Sequence, residues 1–187
     1  MLFFNFKAFD ASTIMRLSSF TLFSLAGTTC ALSLFEHRSN TLNFCLSSFN
    51  VPISIPSSPN FTQLTSSYNI RLQYAPAVII LPTTHLQISN AVLCAVRFGV
   101  KVQAKSGGHS YASFSSGGQN GSMVVSLESF QNISVNGAGV AMIGGGVRLG
   151  NLALGLSKQG GRALPHGVCP GVGVGGHATH GGYCERR

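Results

Sequence analysis

Apolar and polar positions divide the chain into a front part without rhythm and a back part with it. From residue 32 to about residue 70, Ser, Asn, Thr and Pro recur with no helical or strand period. The prolines within 51–59 can neither donate to a β-ladder nor continue a helix. This stretch reads as an irregular N-terminal segment, a leader or cover rather than a second domain. Regular structure is predicted from residue 77. The apolar run 77–81 suits a strand buried on both faces, and Pro82 ends it. Thr84 then stands three residues before Gln87, a capping-box signature, and Ile88, Ala91, Val92, Ala95 and Val96 share one helical face. Gly99 closes that helix. In 100–104, Val100, Val102 and Ala104 alternate with polar neighbours as an inward strand face. Strand, helix and strand make a βαβ unit, and ligands lie beyond the carboxyl ends of such strands.

Short strands follow at 123–127, 133–135 and 140–143, divided by Asn/Gly turns and stopped by Gly144-Gly145-Gly146. Leu149, Leu152, Ala153 and Leu156 return to helical spacing. Gly150 and Gly155 interrupt that helix, at about 1 kcal/mol each against Ala, so tertiary packing must hold it. Gly160-Gly161 ends it.

Composition narrows the class. The 187 residues give length for about one domain. They are 44% hydrophobic, enough for a core, yet only 9% charged. The formal charge of +8 arises because acids are scarce (Asp10, Glu36, Glu128, Glu185). Lys and Arg are scattered, with no run longer than Arg186-Arg187, which argues against a nucleic-acid binder. So few carboxylates also argue against a two-carboxylate hydrolase or a hard-cation site.

The N-terminus has the order of a secretory signal over residues 1–31. From Met15, Arg16 supplies positive charge, 17–26 an apolar core and Thr29-Cys30-Ala31 a small-residue cleavage site. Residues 1–14 fit this scheme poorly, so Met15 is a second candidate start. The apolar run is too short to span a bilayer. Sequons at Asn60, Asn120 and Asn132 are compatible with export.

Chemistry concentrates in two glycine-dense loops. The first is Lys105-Ser106-Gly107-Gly108-His109-Ser110-Tyr111. The second runs from His166 through Cys169 to Gly173-Val174-Gly175-Gly176-His177, and then to Gly182-Tyr183. Glycine lets backbone N–H groups approach a flat or anionic ligand closely. Each loop carries one nucleophilic side chain, His109 and Cys169, sixty residues apart. The first loop lacks the G-x-G-x-x-G pattern leading into a helix, which disfavours a nicotinamide cofactor. Ser106, Gly107, Gly108 and Ser110 can face a diphosphate, and Lys105 can add charge. Pro170 helps to fix the direction of Cys169, and N–H-rich loops favour the thiolate.

These motifs, S-G-G-H-S and then G-x-C-P-x-V-G-V-G-G-H, resemble those of the PCMH-type FAD-binding domain of the vanillyl-alcohol-oxidase superfamily. The paired His and Cys are similar to those of berberine-bridge-enzyme-like oxidases, and most of all to the fungal glucooligosaccharide oxidases. The resemblance implies an α+β fold, with residues 71–187 as the first part of the flavin domain. It implies FAD bonded through its 8α-carbon to His109 and through C6 to Cys169. Lys105 to Tyr111, Gly173 to His177, Gly182 and Tyr183 would line the cofactor, and Cys45 and Cys94 would form a disulfide. From the residues alone, two free thiols stay open there. The implied activity is oxidation of carbohydrate or alcohol hydroxyls by molecular oxygen, with release of hydrogen peroxide.

The family continues Gly-Gly-Tyr-Gly where this chain reads Gly182-Tyr183-Cys184-Glu185. The chain is therefore expected to be a fragment ending before the substrate domain, and the catalytic base to lie beyond it. Two other classes stand beside this reading. One is a zinc protein using His166, Cys169, His177 and His180. The other is a secreted fragment without chemistry.

Overall fold

The computed structural model describes residues 41–182. The expected signal segment, Cys30, Tyr183 and Cys184 lie outside the described residues.

A four-stranded sheet forms the larger half. It comprises β1 (Ile53–Ser54), β2 (Val78–Ile80), β3 (Val102–Lys105) and β4 (Met123–Ser126), in the order β1-β2-β4-β3. β1 runs antiparallel to β2, while β2, β4 and β3 are parallel. The predicted βαβ unit therefore has its strands apart: β4 lies between β2 and β3, in register with Val78 on one side and Val102 on the other through Met123. All of β2 is buried, as its unbroken apolar run requires.

Residues 41–48 form helix α1, the short α2 spans Phe61–Thr65, and α3 spans His85–Arg97. Leu42, Leu46 and Val51 join Val78, Ile80, Ala91, Cys94, Ala95, Met123 and Val125 in one apolar core. This corrects the reading of 32–70 as irregular: its described part supplies two helices, an edge strand and part of the core. Serines and prolines hid an amphipathic turn and a two-residue strand too short to show a period. Cys45 of α1 is bonded to Cys94 of α3, with Cα atoms 6.0 Å apart.

The start of α3 follows its sequence closely. Thr84 Oγ1 accepts from the Gln87 amide at 3.2 Å, although the Gln87 side chain returns to the Thr83 N–H at 2.8 Å rather than to that of Thr84. Ile88, Ala91 and Ala95 of its inward face meet the core as expected, and the face differs at its edge. Cys94 points into the core, and Val96, about 200° further round the helix, stands 70% exposed. Val102 and Ala104 are also exposed rather than inward. β3 is an edge strand, and the core formed with α3 does not extend across it.

A smaller unit packs beside the sheet. β5 (Ile133–Val135) and β6 (Ala141–Ile143) form an antiparallel pair covered by α4 (Leu149–Lys158). Val147, Leu149, Leu152 and Leu156 make its core, while Ala153 faces outward. The helix glycines are explained by contact. A β-carbon on Gly155 would stand 2.7 Å from Ile133 Cδ1, and one on Gly150 2.9 Å from Pro170 Cβ. Gln159 fastens α4 to the edge of β5, accepting from the Val135 amide and donating to the Ile133 carbonyl, each at 3.0 Å.

Candidate cofactor site

The first glycine loop leaves the carboxyl end of β3, and the second returns beside the start of α4. They meet backbone to backbone. A β-carbon on Gly107 would overlap the Gly173 amide, and one on Gly173 would overlap the Gly107 amide. Any side chain at either position would therefore push the loops apart. The contact continues along α4, where the Leu149 amide donates to Val172 O at 2.9 Å and that of Gly150 to Pro170 O at 3.0 Å. Gly173 then caps α5 (Val174–Thr179), and Val174 packs on the smaller core.

Arg148, which the sequence did not single out, joins the loops from outside. Its Nη1 donates to the carbonyl oxygens of Gly107 (3.2 Å) and Gly171 (2.8 Å). His109 lies at the same junction. A β-carbon on Gly171 would stand 2.9 Å from His109 Nε2, so the imidazole edge faces the loop that carries Cys169. Burial, and then the positive charge of Arg148, hold the His109 pKa below its ordinary value of 6.5. Cys169 is exposed and free.

The loop is rich in unused donors. Among the described residues, no backbone N–H from Gly107 through Ala112 has a protein acceptor. These residues are half-exposed or exposed, and a row of N–H groups free of protein acceptors is suited to a ligand with anionic oxygens. The side chains expected to assist are engaged differently. Lys105 Nζ donates inward to Leu64 O (2.6 Å) and Ser66 O (3.2 Å). Its pKa is lowered by burial and then by Arg148, against an opposing pull from Glu128. The Ser106 hydroxyl donates to Gly145 O at 2.5 Å, and that of Ser110 accepts from the Phe114 amide at 3.2 Å. The donors left to a ligand here are thus chiefly the backbone amides, with the Ser110 O–H beside them. Tyr111 is 76% exposed beside them.

His177 braces the second loop, its Nε2 accepting from the Gly167 amide at 3.3 Å. Gly175 is tight against Gly145 O, Gly176 faces open space, and Gly182 packs on the His177 ring. A cleft of about 800 Å³ opens from the loop junction, lined among others by Lys105, Ser106, Ser126, Glu128, Arg148 and Asn151. His109 and Cys169 do not line it. The alternative zinc set is not assembled: among the described residues no three His, Cys, Asp or Glu side chains converge. Also among these residues, no helix is long and apolar enough to cross a membrane.

A parallel strand that ends in one side-chain-poor loop, met by a second that follows α4, with unpaired amides and a histidine at the junction, suits a flat, anionic cofactor. Residues 76–187 match the FAD binding domain family, and the chain belongs to it. The chain is 43% identical over 159 residues to the chitooligosaccharide oxidase of Gibberella zeae, covering 85% of this chain and 32% of that protein. It is 37% identical over 120 residues to Berberine bridge enzyme-like 12 of Arabidopsis thaliana, covering 62% of this chain and 22% of that one. Among solved structures, glucooligosaccharide oxidase from Acremonium strictum, with a 6-S-cysteinyl, 8α-N1-histidyl FAD, superposes with a TM-score of 0.74. That match is 42% identical and covers 77% of this chain and 30% of the other. The fold is that of the PCMH-type flavin domain. The chain spans no more than about a third of the length of these relatives.

Proposed function

We propose that this chain is the flavin-holding part of an exported oxidase that takes two electrons from a carbohydrate or alcohol hydroxyl and passes them to molecular oxygen, releasing hydrogen peroxide. The observation that carries the proposal is the loop junction. Unpaired amides from Gly107 to Ala112 adjoin the imidazole of His109, and that imidazole faces the loop of the free thiol Cys169. The amides would hold the FAD diphosphate, while His109 and Cys169 would tether the flavin at its 8α and C6 positions. FAD supplies the two-electron chemistry when bound. The depressed His109 pKa supports the neutral, nucleophilic imidazole that attachment needs. The relatives' names point to oligosaccharides of the chito and gluco types.

The Cys45–Cys94 bond supports an oxidising compartment and so the reading of residues 1–31 as an export signal. Tyr183 would line the cofactor, and the catalytic base would come from sequence of the kind that the longer relatives have beyond this match. The test is acid precipitation of the protein expressed with FAD. A yellow pellet is the expected result, with oxygen uptake and peroxide formation on chito- or cello-oligosaccharides once sequence that supplies the base is joined to the chain. A colourless pellet would overturn the proposal.

A further inference from the structure

The segment after α2 is sewn to the first glycine loop. The Lys105 ammonium holds the carbonyls of Leu64 and Ser66, and the buried hydroxyls of Ser67 and Ser116 bond to each other. Asn69 Nδ2 donates to Tyr111 O at 2.7 Å, and the Ser113 hydroxyl donates to Asn69 O at 3.4 Å. Between these ties, Tyr68 lies flat on His109. The ring centroids are 4.5 Å apart and the planes 24° from parallel. Tyr111 meets Tyr68 edge-on at 5.6 Å and 78°.

This arrangement bears on how His109 reacts. Its predecessor, Gly108, has no side chain to pack against it, and imidazole rotation about χ2 is intrinsically broad. Among the described residues, neither ring nitrogen makes a hydrogen bond, whereas His166, His177 and His180 each do. A hydrogen bond would fix the ring but would engage a nitrogen. Stacking fixes the plane, and with it the direction of the in-plane lone pair, while leaving both nitrogens unengaged.

We propose that Tyr68 is a positioning residue for flavin attachment at His109: it holds the imidazole plane by stacking and so keeps a nitrogen lone pair aimed and available. The proposal rests on the flavin reading above: attachment would form the bond between an imidazole nitrogen and the 8α-carbon, release one 8α C–H proton and the imidazole N–H proton, and leave two electrons on the flavin for molecular oxygen, the acceptor of that reading, to remove. It requires an aromatic ring at position 68 and no phenolic hydroxyl.

The test uses the full chain with Cys169→Ala, so that His109 is the remaining link, and measures the rate at which flavin becomes acid-stable. Tyr68→Phe should match the parent. Tyr68→Leu should be slowed about tenfold, since reacting atoms misplaced by about 1 Å can cost on the order of 100-fold. With His109→Ala instead, attachment at Cys169 should be the same with and without Tyr68→Leu. A second reading needs no flavin: the His109 ring protons should carry an upfield ring-current shift in the parent and in Tyr68→Phe, and lose it in Tyr68→Leu. Attachment at the parent rate in Tyr68→Leu, equal loss of both links, or Phe behaving like Leu would each overturn the proposal. A parent protein with no flavin on His109 would instead overturn the functional reading beneath it, while the ring-current shift would still report whether the rings stack.

Discussion

In the parallel sheet, every position of β2 and β4 is buried, and a disulfide ties the two helices packed against them. In the loop leaving β3, the residues from Ser106 to Ser110 are all half-exposed, and the amides from Gly107 to Ala112 have no protein partner among the described residues. The inner strands β2 and β4 are paired on both sides, and their half gains stability from apolar burial. The loop half leaves the amides from Gly107 to Ala112 without protein acceptors among the described residues and is held by side chains and loop contact: Arg148, Lys105, Ser106, Asn69, Tyr68 and the Gly107–Gly173 approach. Donors kept for a ligand cannot also stabilise the fold, so the site depends on the neighbouring sheet for its rigidity. The two halves should respond to different substitutions.

The largest effect belongs to the sheet half. Replacing Cys45 and Cys94 together by Ala frees a 49-residue separation and should lower unfolding stability by about 4 kcal/mol on loop entropy. Urea titration checks this, and acid-stable flavin should persist in the fraction that folds. Next comes Gly107→Ala. Its methyl group meets the Gly173 amide, and such overpacking costs about 1–3 kcal/mol. Flavin incorporation should fall steeply while the far-ultraviolet spectrum stays that of the parent; unchanged incorporation would show that the loop contact is not part of the site.

Arg148→Lys gives up the simultaneous grip on the Gly107 and Gly171 carbonyls. Because the side chain is exposed, about 1 kcal/mol is the expected loss, read as a lower urea midpoint and slower flavin attachment than in the parent. The smallest effect is a pH dependence. The folded pKa of His109 lies below 6.5. Above that value folded and unfolded chains are both neutral there, and nothing is contributed. As pH falls below it, the unfolded chain takes the proton first, so stability declines until the folded pKa is passed. His109→Gln should remove this acid slope from urea midpoints measured between pH 7 and pH 4.

How far the sequence was legible follows from what each feature depends on. Local patterns carried β2, the Thr84 cap, the Gly99 and Gly160 helix ends and both glycine loops, because their signals lie within a few residues. Spacing carried Ile88, Ala91 and Ala95 of the inward face of α3, but not Cys94, which is bonded to a partner 49 positions away, nor the exposure of Val96. The exposure of β3 depends on β4 entering between two strands expected to be neighbours, which no local period encodes. Arg148 and Tyr68 were missed for the same reason. A lone Arg after three glycines and a Tyr in a serine-rich stretch acquire meaning only when folding sets them against Gly171 and His109. Lys105 was expected to add charge beside the diphosphate, yet its ammonium turns inward to two carbonyls of the α2 segment.

The central claim is that one flavin joins the two loops. Protease digestion of the yellow protein, followed by mass spectrometry, tests it directly. The account predicts a single cross-linked species in which the His109 peptide and the Cys169 peptide are carried on the same flavin. Recovery of both peptides at their unmodified masses, with the flavin free in solution, would contradict it.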